Sequence, residues 1–516
     1  MKIIKSRTLT AFLGILMLSL AATAGSKPNI LWIMSDDHAT EGIGAYGGRF
    51  AGLDPTPTLD KLAREGALFT NAFCTNSICT PSRATLMTGQ YSHTNGVTTL
   101  FEALPPEQQY LPKWIKSLGY ETAMVGKWHL KEEPAPYDYY AVLEGQGWYF
   151  NPRFRVRGPK PWPQNEFTFP GYDCVHSSDA ITRLSLDWLK KRKGDKPFFL
   201  MHHFKAPHDN FENAERYDWL YEDEFMPEPI SLWDRANHGP DGRDLYGTSI
   251  GKRNERRNMG HHMFVDESLS DKEYKRVAYQ RYMKKYLRTV RGLDDGIAKL
   301  VSYLEKTGEL DNTIILYTSD QGFMLGEHDY IDKRWMYEES LRQPFIVRYP
   351  KMVKPGTVID TVVNNTDYAP TLVELAGGKA PADVVEGRSF VNLLKGKPMK
   401  NARESTYYRY WLHMAHHDNP AHFGVRTETH KLIFFYGMGL GHKHVNAPDT
   451  EPYWELYDIS KDPKEQNNIF NNPEHKQVRK ALLKELIALR EETGDTDDQY
   501  PELKKLFEEE ARKIME

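Results

Sequence analysis

The 516-residue chain is predicted to be an α/β protein: a large, mixed but mostly parallel sheet sandwiched by helices, followed by a small antiparallel sheet and helix. Three observations carry that expectation. From residue 28 to about residue 395, short continuous apolar runs alternate with segments of helical period, as strands buried on both faces and their crossover helices do. Beyond residue 400 the text changes to short aromatic pieces of strand character. The composition, 40% hydrophobic with 23 Phe and 11 Trp, suffices for a large core.

The first residues read as a processing signal. Lys2, Lys5 and Arg7 precede an apolar run over residues 11–20, and Ala22-Thr23-Ala24 gives small residues at a cleavage site. A signal peptide over residues 1–24, cleaved near Ala24, implies a periplasmic or secreted protein. No cysteine adjoins that site, and no other stretch approaches the roughly 18 apolar residues of a membrane span. No membrane anchor is therefore expected.

Residues 30–34 form the first expected strand, and residues 57–66 an amphipathic helix. A second helix is expected over residues 82–88, with Thr80 as cap, Pro81 at the first position and Gly89 as the stop. Residues 121–126, 197–204 and 313–319 are three further buried strands. The last follows a long helix over residues 271–307, in which Tyr286, Val290, Leu293, Ile297 and Leu300 keep one apolar face. Residues 209–270 are polar and irregular, with little core of their own, and read as a lid or rim inserted in the domain. The first domain is expected to span residues 25–397. Within residues 398–516, "STYYRYW", "HKLIFFYG" and "WELYDI" suggest the antiparallel sheet, closed by a charged helix.

Net charge is −4, with 67 Lys and Arg against 71 Asp and Glu, which favours no partner and gives no reason to expect nucleic acid. The strand ends carry more information. The first delivers Asp36 and Asp37, the next Lys127 and His129, another His208 and the last Asp320 and Gln321. Ligands of open α/β sheets sit at the carboxyl ends of strands. Any one such pair is as readily a turn; several together point to a site. Asp36, Asp37, Asp320 and Gln321 offer oxygen, which suits Ca²⁺ or Mg²⁺ better than zinc. Cationic or titratable Lys127, His129, His208 and Lys333 around such an ion imply an anionic, phosphate-like or sulfate-like substrate group. Cys79, one of three cysteines, sits at a helix start. Packing, a disulfide, a thiolate nucleophile and other chemistry all remain open for it, and Cys74 and Cys174 are left as a pair that export would allow to bridge.

"CTPSR" at residues 79–83, followed by "ATLMTG", resembles the maturation and active-site motif of the type I, formylglycine-dependent sulfatases of the alkaline phosphatase superfamily. "MSDDH", "GKWHL", "FKAPH", "TSDQG" and "DKRWMYEESLRQP" occur in that family's order, and "ELYDISKDPKEQNNI" resembles its C-terminal subdomain. The resemblance implies an alkaline phosphatase-like fold and a sulfuric ester hydrolase. It implies that a formylglycine-generating maturation enzyme oxidises Cys79 to an aldehyde whose hydrate is the nucleophile. Asp36, Asp37, Asp320 and Gln321, with the modified Cys79, would bind Ca²⁺. Arg83 would hold the ionised hydrate, and Lys127 and Lys333 the sulfate. His129 would serve as base, and His208 as the acid toward the leaving alcohol. His38 after Asp37, and Gln321 where relatives commonly carry Asn or His, depart from the pattern.

"LGEH" with "DKRWMYEES", and a histidine-rich stretch near residue 415, resemble bacterial enzymes of polysaccharide breakdown. The expected substrate is a sulfated carbohydrate: algal, such as ulvan or carrageenan, as the slightly favoured source, or a host glycosaminoglycan or mucin glycan. His413, His417 and Arg426 are the candidate sugar contacts, weighed evenly against an aromatic core edge. The basic cluster over residues 252–257 is either a solvated face or a polyanion contact. Two rival functions stand beside this one: a phosphate or phosphonate monoester hydrolase on the same fold, and a homologue that binds sulfated glycan without cleaving it.

Overall fold

The computed structural model describes residues 27–168, 175–233, 245–252 and 263–516. The signal peptide, Cys174 with its suggested bridge to Cys74, and most of the basic cluster at residues 252–257 lie outside these residues.

Ten strands form one mixed sheet. In chain order they are β1 (Asn29–Asp36), β2 (Ala67–Phe69), β3 (Glu121–Gly126), β4 (Tyr139–Leu143), β5 (Arg153–Val156), β6 (Glu166–Thr168), β7 (Phe198–Pro207), β8 (Thr313–Ser319), β9 (Phe345–Arg348) and β10 (Thr357–Ile359). Their spatial order is β10-β2-β9-β8-β1-β7-β3-β4-β5-β6. The central run β8-β1-β7-β3-β4 is parallel throughout, and the antiparallel pairings occur toward the edges. All eight residues of β1 are buried, which is why that strand reads as a continuous apolar run.

Alternate residues of the central strands feed two cores. Ile30, Trp32, Met124, Met201 and Leu316 pack on one face against helices α1 (Cys79–Thr88), α2 (Tyr110–Ser117) and α5 (Tyr368–Leu375). Leu31, Ile33, Val125, Leu200 and Ile315 face the other way, toward α3 (Ser177–Lys191) and α4 (Asp271–Lys306). The sandwich is the expected one. Helix α4 opens with a capping box between Ser270 and Glu273, and its first half carries the insertion: Phe211, Met226 and Leu232 are buried against Tyr279, Tyr282 and Met283. The insertion therefore borrows a core from α4.

A second, four-stranded antiparallel sheet follows: β11 (Ser405–Tyr410), β12 (His422–Thr427), β13 (His430–Phe435) and β14 (Tyr453–Asp458), in that order. One face packs on Trp335, Met336 and Tyr337 of the main body. The other is covered by two helices, α6 (Lys476–Thr493) and α7 (Pro501–Met515), where one was expected. Gly494 at φ 74° ends α6 and separates them. Among the described residues, no helix is long and apolar enough to cross a membrane.

Gly126 closes β3 at φ 104°, and a Cβ there would lie 1.8 Å from the His203 carbonyl oxygen, the atom that accepts the Lys127 N–H at 2.9 Å. Gly126→Ala is therefore expected to destabilise the protein by about 2 kcal/mol or more, from backbone strain and a contact with rigid main chain. A urea midpoint indistinguishable from wild type would refute this.

Candidate active site

Cys79 is the first residue of α1. The helix begins two residues before Pro81, the expected first position, with Ile78 in extended conformation as its N-cap. Thr80 is not the cap: its hydroxyl donates to the His129 carbonyl at 3.1 Å. Pro81 still falls in the first turn, where a missing N–H costs nothing. All ten residues of α1 are buried.

Around Cys79 the carboxyl ends of four parallel strands converge. Asp36 ends β1, and Asp37 follows in left-handed conformation at φ 69°, its N–H donating to Asp320 Oδ1 at 3.2 Å. Asp320 and Gln321 follow β8, Lys127 follows β3 and His208 follows β7. Lys127 pairs with Asp36. Lys333 donates to both Asp37 oxygens, at 2.7 and 2.5 Å. Arg83 reaches Asp320 Oδ2 through Nε and Nη2, both at 3.0 Å, and donates to the Lys127 carbonyl at 2.6 Å. The Gln321 amide donates to Asp37, and His208 Nε2 is 3.6 Å from Asp37 Oδ2. Three carboxyl groups thus face one guanidinium and two amino groups in a site that water scarcely reaches.

This balance governs the titrations. Despite burial, the charges of Lys127 and Arg83, joined by His208 when it is protonated, hold the Asp36 carboxyl well below its usual range. Burial pushes Asp320 up to about 6, with Asp36 adding to the rise and Arg83 opposing it. Against its own burial, Lys333 is held cationic by Asp37. Burial and the adjacent Lys127 push His129 well below the usual imidazole range. Burial, then Lys333 and Lys127, bring His208 down to about 4. Both imidazoles are neutral at neutral pH in this arrangement. Burial raises the Cys79 thiol to about 12, outweighing Lys333 and Lys127. A resident thiolate nucleophile is therefore disfavoured.

The donor atoms of Asp36, Asp37, Cys79 and His208 all lie within 4.8 Å of one another. Among the described residues, Asp36 Oδ1 and Gln321 Oε1 are buried and accept no hydrogen bond, the condition of oxygens suited to a cation. A protonated thiol is not a metal ligand, so the usable acidic donors are oxygen, which fits a hard divalent ion.

The other expected contacts are arranged differently. His417 stands near this cluster, with Nε2 3.5 Å from Asp332 Oδ1 and Nδ1 3.0 Å from the Thr248 hydroxyl. His413 is buried away from it, accepting from the Ala421 N–H at 3.2 Å and donating to the Pro448 carbonyl at 3.1 Å. Arg426 spends its charge on Glu338, at 3.2 Å, and packs over Phe73. Sequence reasoning also passed over a cleft of about 680 Å³ that opens on His208 and is walled by Gln146, Trp148, Tyr149 and Lys205. Its only sequence signal is the "EGQGWY" loop after β4, which has no periodicity to mark it.

A family model described as Sulfatase matches residues 28–378, and one described as N-sulphoglucosamine sulphohydrolase, C-terminal, matches residues 326–492. The chain is similar to an N-acetylglucosamine-6-O-sulfatase of Bacteroides thetaiotaomicron, 36% identical across 96% of this chain and 93% of the relative. An ulvan-active sulfatase of Formosa agariphila is 28% identical across 91% of this chain and 82% of its own. A solved structure of a protein in complex with its substrate D-glucosamine-2-N,6-O-disulfate superposes with a TM-score of 0.82 at 35% identity, covering 92% of this chain and all of the other.

The buried, protonated state of Cys79 has a direct consequence for unmodified protein. At pH 8 a thiol with a pKa near 12 is ionised only to about one part in ten thousand, so alkylation should be at least ~100-fold slower in folded protein than in urea, and should accelerate as pH rises. Mass spectrometry of the Cys79 peptide after timed alkylation measures this; equal rates in the two states would contradict it.

Proposed function

The chain belongs to the sulfatase family, the sulfuric ester hydrolases of the alkaline phosphatase superfamily, and from that premise we propose that it is an exported, calcium-dependent enzyme that removes a sulfate ester from a carbohydrate through a formylglycine made from Cys79. The observation that carries this reading is the packing of Asp36, Asp37, Cys79 and His208 donors within 4.8 Å of one another, flanked by Lys127 and Lys333 and opening at His208 on a cleft.

A formylglycine at position 79 supplies a geminal diol, a nucleophile that can shed sulfate without a second attack by water on sulfur. A calcium ion supplies a Lewis acid that polarises the sulfate. Asp36, Asp37, Asp320 and Gln321 would hold that ion through oxygen. Charge supports the fit. Added to three carboxylates and three cations, a divalent ion leaves two positive charges to be cancelled, and a sulfate ester monoanion and one ionised nucleophile bring two negative ones.

The side chains divide the remaining work. Lys127 and Lys333 hold sulfate oxygens where charge shifts in a loose transition state. Arg83 and the N-terminus of α1 stabilise negative charge at position 79. His129 is neutral and placed beside the helix start, with Nδ1 3.4 Å from the Thr80 hydroxyl, so it is competent to take a proton from the second hydroxyl. His208 gives its proton to the leaving oxygen. Its pKa of about 4 makes it a poor reservoir before substrate arrives. The negative charge of a bound sulfate, with the Asp209 carboxylate already 2.5 Å from Nδ1, favours the imidazolium when it is needed.

Similarity shifts the expected sugar from algal toward amino-sugar chemistry. The relative at 36% identity is named for the 6-O-sulfate of N-acetylglucosamine, whereas the ulvan-active relative stands at 28%. N-acetylglucosamine 6-sulfate is therefore the first substrate to test, within a panel that includes ulvan and carrageenan oligosaccharides and paired aryl sulfate and aryl phosphate. Matured enzyme should desulfate the amino sugar, and Cys79→Ala should lose at least ~10⁴-fold in kcat. Higher efficiency on aryl phosphate than on any sulfate would replace this reading with a phosphomonoesterase.

Chelation supplies an independent check. EDTA treatment should abolish turnover and lower the thermal midpoint by about 5 °C, with Ca²⁺ restoring both, because binding to the folded state alone stabilises it. A midpoint indifferent to EDTA and Ca²⁺ would refute calcium binding at this site.

A further inference from the structure

The loop Glu144-Gly145-Gln146-Gly147-Trp148-Tyr149 has a construction that the roles above leave unexplained. Gly145 at φ 54° and Gly147 at φ 73° flank Gln146, two left-handed positions that side-chain-bearing residues adopt only at a cost. The tight path they permit sends neighbouring side chains to different places. Gln146 turns onto the charged cluster, its Oε1 accepting from Lys127 Nζ at 2.5 Å. Among the described residues its amide nitrogen makes no hydrogen bond. Tyr149 is buried, and its hydroxyl donates to the His208 carbonyl at 2.5 Å. Between these two anchors Trp148 is 67% exposed and lines the same cleft as His208 and Lys205. An indole left so exposed contributes little apolar burial to folding.

The position of the loop determines what meets it. The cleft joins the cluster at His208, 3.6 Å from Asp37, and at Gln146, which touches Lys127. A sulfate held between Lys127 and Lys333 with its leaving oxygen toward His208 has this cleft beside it to take the rest of its molecule. The volume, about 680 Å³, falls within the roughly 300–1,000 Å³ typical of small-molecule sites. Its walls pair one broad aromatic face with amide, carboxylate and ammonium groups. A pyranose has the matching surface, with an apolar C–H face and a polar edge.

We propose that the residue 144–149 loop is the recognition element for the sugar ring that bears the sulfate ester. Trp148 stacks on the ring's C–H face, and the free Gln146 amide donates to an oxygen substituent beside the ester. The proposal rests on the carbohydrate reading above. Because Gln146 also touches Lys127, the loop couples the identity of the sugar to the placement of the sulfate clamp.

Steady-state kinetics of matured wild type, Trp148→Ala and Trp148→Phe test this, using N-acetylglucosamine 6-sulfate or, failing it, the panel sugar that wild type desulfates best. An aryl sulfate serves as the control for a working catalytic centre. Trp148 is exposed, so neither substitution threatens the fold. Trp148→Ala should raise KM for the sugar about tenfold, the loss falling on KM rather than kcat, and Trp148→Phe should recover most of it. An unchanged KM in Trp148→Ala, or a loss confined to kcat, overturns the subsite while leaving the carbohydrate reading intact. Wild type that cleaves the aryl sulfate but no sulfated sugar overturns that reading and the subsite with it.

Discussion

The constraint on which the rest of the structure depends is electrical neutrality in a place without water. Asp36, Asp37 and Asp320 are buried side by side, and isolated carboxylates there would each cost several kcal/mol to desolvate. Arg83, Lys127 and Lys333 make that burial tolerable, and each comes from a different part of the chain. One is on the helix after Cys79, one at the end of β3 and one beyond β8. Neutrality is reached only when the parallel strands are in register, so the charged cluster and the sheet specify one another. The same lack of water sets the state of the neighbouring groups: burial keeps the Cys79 thiol protonated against the pull of Lys333 and Lys127, and burial together with nearby lysines keeps the imidazoles of His129 and His208 uncharged.

The second sheet extends this logic to the C-terminal region. Glu338, shortly after Lys333 in sequence, is met by Arg426 and Lys431 from two strands of that sheet, and Lys431 also pairs with Glu465. Lys464 bridges Glu41, near β1, and Glu339. The buried Glu338 pairs, with the half-exposed Lys464 at their rim, tie the segment that carries Lys333 to the smaller sheet. Arg426 and its neighbours thus serve the site by holding the Lys333 segment in place from behind.

Much of this was legible in the sequence. The central strands are continuous apolar runs that end in charged residues, and two-sided burial leaves that pattern with little alternative. β3 and β8 were expected at the residues where they occur, and α4 was expected to within one. The edges were harder. β2, β9 and β10 are three or four residues long, too short for periodicity to register, and they exist because neighbouring strands offer them hydrogen bonds. His413 and Arg426 illustrate a different limit. A histidine or arginine among aromatics looks the same in sequence whether it faces a sugar or fills a core, and only the positions of Pro448 and Glu338 decide. Gln146 and Trp148 lie in a glycine-flanked loop where no repeat distinguishes a functional residue from a connector.

The complete burial of α1 also acts as a clock. Its surroundings are assembled from distant parts of the chain: β1 lies between β7 and β8, Arg334 donates to the Ser77 carbonyl, and Cys74 donates to the Leu341 carbonyl. The set is complete only when synthesis has passed residue 341, so the surroundings that bury Cys79 cannot close before then. Any enzyme that rewrites that side chain must reach it as an unfolded peptide. Recognition can then rely only on the local text around "CTPSR", and a chain that folds first is sealed with its cysteine unchanged.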